Sequence, residues 1–129
     1  MAKILITGIT GFIGGSVASA LLPLGHEITA LVRPGSSQDC VSKYLGGIKL
    51  VYVSLSDIPG LKAFLETADF DTVIHIGALR GGRKANREEY YRSNVSSTEQ
   101  FVTYCVKSGA RLIFCSSVGI WGAIPSELP

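Results

Sequence analysis

A marked excess of charge of one sign is missing from this sequence. Twelve Lys and Arg stand against ten Asp and Glu, a formal net charge of +2 over 129 residues. With no basic block, a nucleic-acid binder that works by bulk charge is excluded. No apolar run approaches the roughly 18 residues that a membrane span needs. The opening Met-Ala-Lys-Ile-Leu-Ile-Thr-Gly lacks a basic stretch followed by an apolar stretch and a small-residue cleavage site, so no signal peptide is expected. Cysteine is scarce. Cys40, Cys105 and Cys115 are odd in number and show no C-x-x-C spacing, so no metal site is expected. Nothing near them in sequence would lower a thiol pKa, which argues against catalytic use. Cys115 ends the run Leu112-Ile113-Phe114-Cys115 and reads as a buried small hydrophobe. The expected compartment is the reducing cytoplasm.

What is present is apolar. Hydrophobic residues make up 47% of the chain and charged ones 17%, with a mean hydropathy of +0.34. That excludes a disordered chain and leaves room for one domain.

Strand-like and helix-like patterns alternate from end to end. Lys3–Thr7 is a short β-branched run that stops at Gly8, the pattern of a strand buried on both faces. Gly11 to about Leu24 reads as a helix, with Ile13, Val17, Leu21 and Leu24 near helical spacing and Pro23 and Gly25 closing it. His26–Val32 is a second strand. Pro34 to Ser37 form a turn, and a short helix is expected around Gln38–Leu45. Lys49–Leu55 is a third strand, and Ser56-Asp57 can cap a helix through Leu61, Phe64 and Leu65. Thr72–Ile76 is the fourth strand, ending at Gly77. A loose polar stretch, Arg80–Arg87, precedes the longest helix, Glu88–Lys107. Its candidate core contacts are Tyr91, Val95, Phe101, Val102 and Cys105, and Gly109 stops it. Arg111–Cys115 is the fifth strand, and the tail after Gly122 is loose. Such alternation implies right-handed crossovers and an α/β fold, a doubly wound parallel sheet. The expected strand order is 3-2-1-4-5, with ligand at the carboxyl ends of strands 1 and 4.

The strongest chemical signal is Thr7-Gly8-Ile9-Thr10-Gly11-Phe12-Ile13-Gly14, a glycine every third residue between a strand and a helix. Gly8 permits the tight turn, and Gly11 lets a pyrophosphate approach the backbone. Gly14 lets the helix pack closely on the sheet. The helix start offers N–H groups and the positive end of a dipole. A glycine-rich turn without ligand is the alternative.

The spacing is G-x-x-G-x-x-G. Thr-Gly-x-Thr-Gly-Phe-Ile-Gly resembles the extended short-chain dehydrogenase/reductase family, the NAD(P)-dependent epimerases and dehydratases of nucleotide sugars and their reductase relatives. Three further tracts carry the resemblance in order. His75-Ile76-Gly77-Ala78 is similar to the family's H-x-A-A or H-x-A-G. The tract Tyr90 to Thr98, with Asn94-Val95-Ser96-Ser97-Thr98, is similar to N-V-x-G-T. Phe114 to Gly122, with Ser116-Ser117 and Val118-Gly119-Ile120-Trp121-Gly122, is similar to S-S-x-x-V-Y-G, with Trp121 in place of the Tyr. The tract Leu31 to Ser36 resembles the dihydroflavonol-reductase-like and sugar-epimerase-like branch.

The resemblance implies a Rossmann-type domain that binds a dinucleotide through Gly8, Thr10, Gly11, Phe12, Ile13 and Gly14, with Gly77 and Ala78 at the end of strand 4. Strand 2 ends Ala30-Leu31-Val32-Arg33, where an NAD enzyme of this kind carries Asp or Glu. A guanidinium pairs with a 2′-phosphate that a carboxylate would repel, so NADP is favoured over NAD. Ser36 and Ser37 can add hydrogen bonds. A solvated Arg33, or one stacked on adenine, is the alternative. The family's G-D-L after strand 3 reads Val53-Ser54-Leu55. Ser54 contacts adenine more weakly than the family's Asp, and Leu55 can cover the ring. Arg80 is either near the ribose and phosphates or a surface charge. Asn94 either hydrogen-bonds the loop behind the pyrophosphate or lies on a polar helix face. His75 reads as a satisfied structural histidine.

Ser117 matches the family's catalytic Ser, with a strand-end hydroxyl capping backbone as the alternative. The family's second catalytic element, Tyr-x-x-x-Lys, matches none of the tyrosines at 44, 52, 90, 91 and 104. The expectation is therefore a single domain, residues 1–129, incomplete relative to the family and lacking its later strands and substrate domain. Two functions are open: the cofactor part of an epimerase, dehydratase or reductase working by hydride transfer on a small-molecule substrate, or a stand-alone dinucleotide-binding module. Relatives often dimerise through two helices, one of them equivalent to Glu88–Lys107. An uncovered fifth strand adds to the expectation of self-association.

Overall fold

The computed structural model describes residues 1–37, 39, 42, 46–81 and 85–122, with no account of the Trp121 side chain. The apolar β-branched runs become five parallel strands: β1 (Lys3–Thr7), β2 (Glu27–Val32), β3 (Ile48–Tyr52), β4 (Thr72–His75) and β5 (Arg111–Phe114). Their order is β3-β2-β1-β4-β5, as the alternation implied. Among the described residues, the α-helices bounded at both ends are α1 (Phe12–Leu21), α2 (Ile58–Glu66), α3 (Arg87–Tyr91) and α4 (Ser97–Ser108). Of the short helix expected around Gln38–Leu45 only Asp39 and Ser42 are described, both helical; the rest of it, part of Arg80–Arg87 and the tail after Gly122 lie outside the described residues.

Alternation along each strand splits the core in two. Ile4, Ile6, Ile28, Ala30 and Ile74 face α1, meeting Ala18 with Val17 and Leu21. Leu5, Leu31 and Val73 face the other layer, meeting Leu61 and Leu65 of α2 and Phe101, Tyr104 and Cys105 of α4. Each fully buried leucine or isoleucine contributes about 2 kcal/mol to this packing. The Tyr104 hydroxyl closes the lower end of that layer, accepting from the Phe70 N–H at 2.6 Å and donating to the Phe70 carbonyl at 3.2 Å.

Several element details differ from the sequence reading. The first helix gives way to a 3₁₀ turn, Leu22–Leu24, because Pro23 sits at its start and Gly25 leaves it at φ 75. Ile13 and Leu24 are exposed rather than core, since the sheet lies under Ala18 and Val17. The long helix is interrupted by a π turn, Arg92–Ser96. Its extra residue shifts the buried face, so Phe101, Tyr104 and Cys105 are inside while Tyr91, Val95 and Val102 are exposed. Cys115 is also exposed. It leaves β5 at the sheet edge, where Ile113 is 43% and Phe114 53% exposed and no described element covers them.

Candidate functional site

Parallel register brings the exits of the inner strands to one edge. Thr7 lies opposite Leu31 of β2 and His75 of β4, and His75 lies opposite Phe114 of β5. The turn between β1 and α1 therefore sits at the middle of the carboxyl edge. Gly8 adopts φ 79, and a Cβ there would fall 2.7 Å from the Gly77 nitrogen. Both facts demand glycine. A Cβ on Gly14 would fall 2.1 Å from the Gly8 carbonyl oxygen and 2.9 Å from the Ile9 Cα. The close approach made by Gly14 is thus to the turn's own backbone, not to the sheet as its spacing suggested. Gly11 is different: its Cβ would meet only the Gly8 oxygen, at 3.3 Å.

Gly11 is the N-cap of α1, and it has no side chain with which to cap. Its own N–H donates to the Gly8 carbonyl at 3.0 Å, and the Gly15 N–H donates to the Gly11 carbonyl at 2.9 Å. The N–H groups of Phe12, Ile13 and Gly14 find no acceptor among the described residues, and the first turn holds no acidic side chain. Uncapped donors at the positive end of a helix attract an anion. A groove of about 390 Å³ runs past them, lined by Thr10, Gly11, Phe12, Gly15, Ser16 and Ser19. The Phe12 side chain, which lines it, is exposed, as is that of Ile13.

The loop after β4 is pinned beside this turn. The Thr7 hydroxyl oxygen accepts from the Ile76 N–H at 3.1 Å and the Gly77 N–H at 2.9 Å, and it lies 2.7 Å from His75 Nδ1. His75 Nε2 lies 3.0 Å from Thr98 Oγ1, which donates to the Asn94 carbonyl at 2.8 Å. His75 is 1% exposed, and burial lowers its pKa from 6.5 to about 4, so the ring is neutral. Further along the loop, Asn94 uses both ends of its amide on one residue. Its Oδ1 accepts from the Leu79 N–H at 2.7 Å and its Nδ2 donates to the Leu79 carbonyl at 2.9 Å. Asn94 thus holds the loop by one bond from each end of its amide.

The remaining candidates fall around this centre. Arg33 is exposed just past β2 and forms no ion pair among the described residues. Its carbonyl accepts from the Ser36 N–H at 3.1 Å and the Ser36 hydroxyl at 2.8 Å, closing a turn over Pro34 and Gly35 (φ 79). Ser37 is exposed beyond it. Ser54 is half-buried past β3, its hydroxyl 2.9 Å from that of Ser56. Leu55 approaches Gly77 closely enough that a Cβ there would lie 3.1 Å from its Cδ1. Ala78 and Arg80 are both exposed, with the Arg80 carbonyl accepting from the Tyr90 hydroxyl at 3.1 Å. Ser117 is exposed at the far side, past β5. Its hydroxyl oxygen accepts from the Gly119 N–H at 3.1 Å and caps the 3₁₀ turn Val118–Trp121, leaving its proton free to donate. Thr7 and Thr98 had no place among the sequence candidates, although Thr98 closes the tract that starts at Asn94. A second groove, about 360 Å³, lies on the solvent face of α4, lined by Asn94, Val95, Thr98, Glu99, Val102 and Thr103. It is lined by none of the glycine-turn residues, and the one charged side chain that lines it, Glu99, would repel a phosphate.

A glycine turn that leads into an anion-receptive helix end, set where the strand order reverses, defines a Rossmann-type domain. The chain belongs to the NAD dependent epimerase/dehydratase family, whose profile matches residues 4–129. It is 30% identical over 127 residues to the decarboxylating sterol-4-alpha-carboxylate 3-dehydrogenase of Dictyostelium discoideum, covering 98% of this chain and 36% of that protein. The solved UDP-Glc/GlcNAc 4-epimerase of Campylobacter jejuni matches with a TM-score of 0.81 and 29% identity, over 95% of this chain and 39% of that one. A short-chain dehydrogenase/reductase superfamily protein of Agrobacterium tumefaciens, solved with bound NAD, matches with a TM-score of 0.74 and 28% identity, over 98% and 36%. The chain spans less than two fifths of each of these relatives. Among the described residues no helix is long and apolar enough to cross a membrane, and no cluster of side chains is suited to a metal ion.

Proposed function

We propose that residues 1–129 form the cofactor-binding part of an NAD(P)-dependent epimerase, dehydratase or reductase. The substrate would be a nucleotide sugar or a related carbonyl or hydroxyl compound, held largely by residues outside this chain. One observation carries the reading: three unpartnered N–H groups at an uncapped helix start, beside glycines whose Cβ positions are filled by backbone. A bound nicotinamide would supply the hydride acceptor or donor. The Phe12, Ile13 and Gly14 N–H groups would hold the pyrophosphate, with Thr10 and Gly11 lining its seat. Gly77 and Ala78 would flank the cofactor at the end of β4, Leu55 would cover the adenine ring, Ser54 would meet the adenine weakly, and Asn94 would fix the loop from behind. Ser117 would donate its free hydroxyl proton to a substrate oxygen.

NADP is favoured over NAD because the exit of β2 carries Arg33 and no carboxylate. Arg80, on the loop after β4, would add positive charge near the phosphates. The reading carries with it a cytoplasmic, self-associating protein that binds no nucleic acid, the last because its charges nearly balance. Titration of the chain with NADPH and NADH tests the assignment. NADPH should bind about tenfold tighter, and Arg33→Asp should abolish that difference, since one charge-assisted pair is worth about that factor. Equal affinities for the two would reject NADP.

A binding module without turnover is the second reading. It is favoured by the lack of any Tyr followed four residues later by Lys in these residues. Carbonyl reduction by the chain as it stands would eliminate it.

A further inference from the structure

We propose that Thr7, His75 and Thr98 form a relay with a fixed proton order that holds the loop after β4 against the glycine turn, making Thr98 a positioning residue for dinucleotide binding. The proposal rests on the cofactor reading above. The order follows from counting protons. Thr98 has one hydroxyl proton, and it goes to the Asn94 carbonyl at 2.8 Å. At the 3.0 Å contact, His75 Nε2 must therefore be the donor. A neutral ring protonated on Nε2 presents a bare Nδ1, so at 2.7 Å the Thr7 hydroxyl donates to it. That leaves the Thr7 oxygen free to accept from the N–H groups of both Ile76 and Gly77. Every donor and acceptor in the chain is used once its direction is set.

Removing the Thr98 hydroxyl breaks the order at the far end. With no acceptor for Nε2–H, the ring gains by moving its proton to Nδ1. Nδ1–H then needs the Thr7 oxygen as acceptor, and Thr7 must release one of the two loop N–H groups. Thr98 thus acts on Gly77, and through it on the glycine turn at Gly8, across the width of His75. Asn94, one helical turn earlier, grips the same loop at Leu79.

The experiment compares NADPH affinity and ring ¹⁵N NMR of His75 in the unaltered chain, Thr98→Val, Thr98→Ser and Tyr104→Phe. The last loses a hydroxyl that serves Phe70, before the start of β4, and acts as a control for stability alone. The unaltered ring should show the Nε2–H tautomer. Thr98→Val should shift toward Nδ1–H and bind NADPH about tenfold more weakly, the value of roughly one hydrogen bond. Thr98→Ser should restore both, and Tyr104→Phe should melt lower yet bind normally. An Nδ1–H ring in the unaltered chain overturns the relay, and this holds even if Thr98→Val does not fold. Normal binding by Thr98→Val, or equal weakening in Tyr104→Phe, also overturns it. Absence of NADPH and NADH binding by the unaltered chain instead overturns the cofactor reading, and the relay's role with it.

Discussion

Two glycines three residues apart are expected to respond in opposite ways to the same methyl group. On Gly14 it would meet the Gly8 carbonyl oxygen at 2.1 Å, and backbone cannot yield as a flexible side chain can. Gly14→Ala should cost about 3 kcal/mol or more, read as a fall in the denaturation midpoint. On Gly11 the nearest atom is 3.3 Å away, so Gly11→Ala should keep its stability within about 1 kcal/mol and lose dinucleotide affinity instead. His75 makes the second prediction at this scale. Its pKa is depressed from 6.5 to about 4 in the folded state. Between those values the unfolded chain binds the extra proton and the folded chain does not. Stability is thus fully present above about pH 6.5 and falls as pH drops toward 4, by about 3 kcal/mol from this group. Urea unfolding across that range should show the slope, and His75→Gln should reduce it. The glycine triplet was legible because its spacing repeats within eight residues. Thr7 and Thr98 were not, because their shared partner His75 lies 68 residues from one and 23 from the other, and a lone threonine has no local signature.

The elements were legible in kind and less so in phase. Short apolar, β-branched runs identified the strands, and Gly25 and Gly109, both at positive φ, marked two stops. The buried face of the long helix was misassigned because one π turn, Arg92–Ser96, adds a residue that no periodicity announces. That turn precedes the segment in which Phe101, Tyr104 and Cys105 form the core, and it contains Asn94. The helix is anchored at its other end by the Tyr104 hydroxyl. Tyr104→Phe leaves the Phe70 N–H and carbonyl without that partner and should cost about 1 kcal/mol in thermal or urea unfolding.

The order of all five strands followed from connection rules, because right-handed crossovers leave few other arrangements. Burial of the outermost strand did not follow. Arg111–Phe114 is as apolar as an inner strand, and composition alone cannot say whether another layer covers it. Here Ile113, Phe114, Val118 and Ile120 are exposed, next to a strand edge that no strand among the described residues pairs. The chain by itself is expected to self-associate in sedimentation experiments, and Phe114→Lys should shift it toward monomer. A strict monomer at high concentration would contradict this.

Mapping backbone amide shifts in a ¹H–¹⁵N spectrum while adding NADPH is the most direct test that the glycine turn seats a dinucleotide. The account predicts saturable shifts concentrated at Gly8, Thr10 to Gly14, Arg33, Gly77 and Ala78, with Asp69 and Asp71 at the opposite edge unmoved. No saturable shifts, or shifts centred on Val95, Glu99 and Val102 of the outer helical groove, would contradict it.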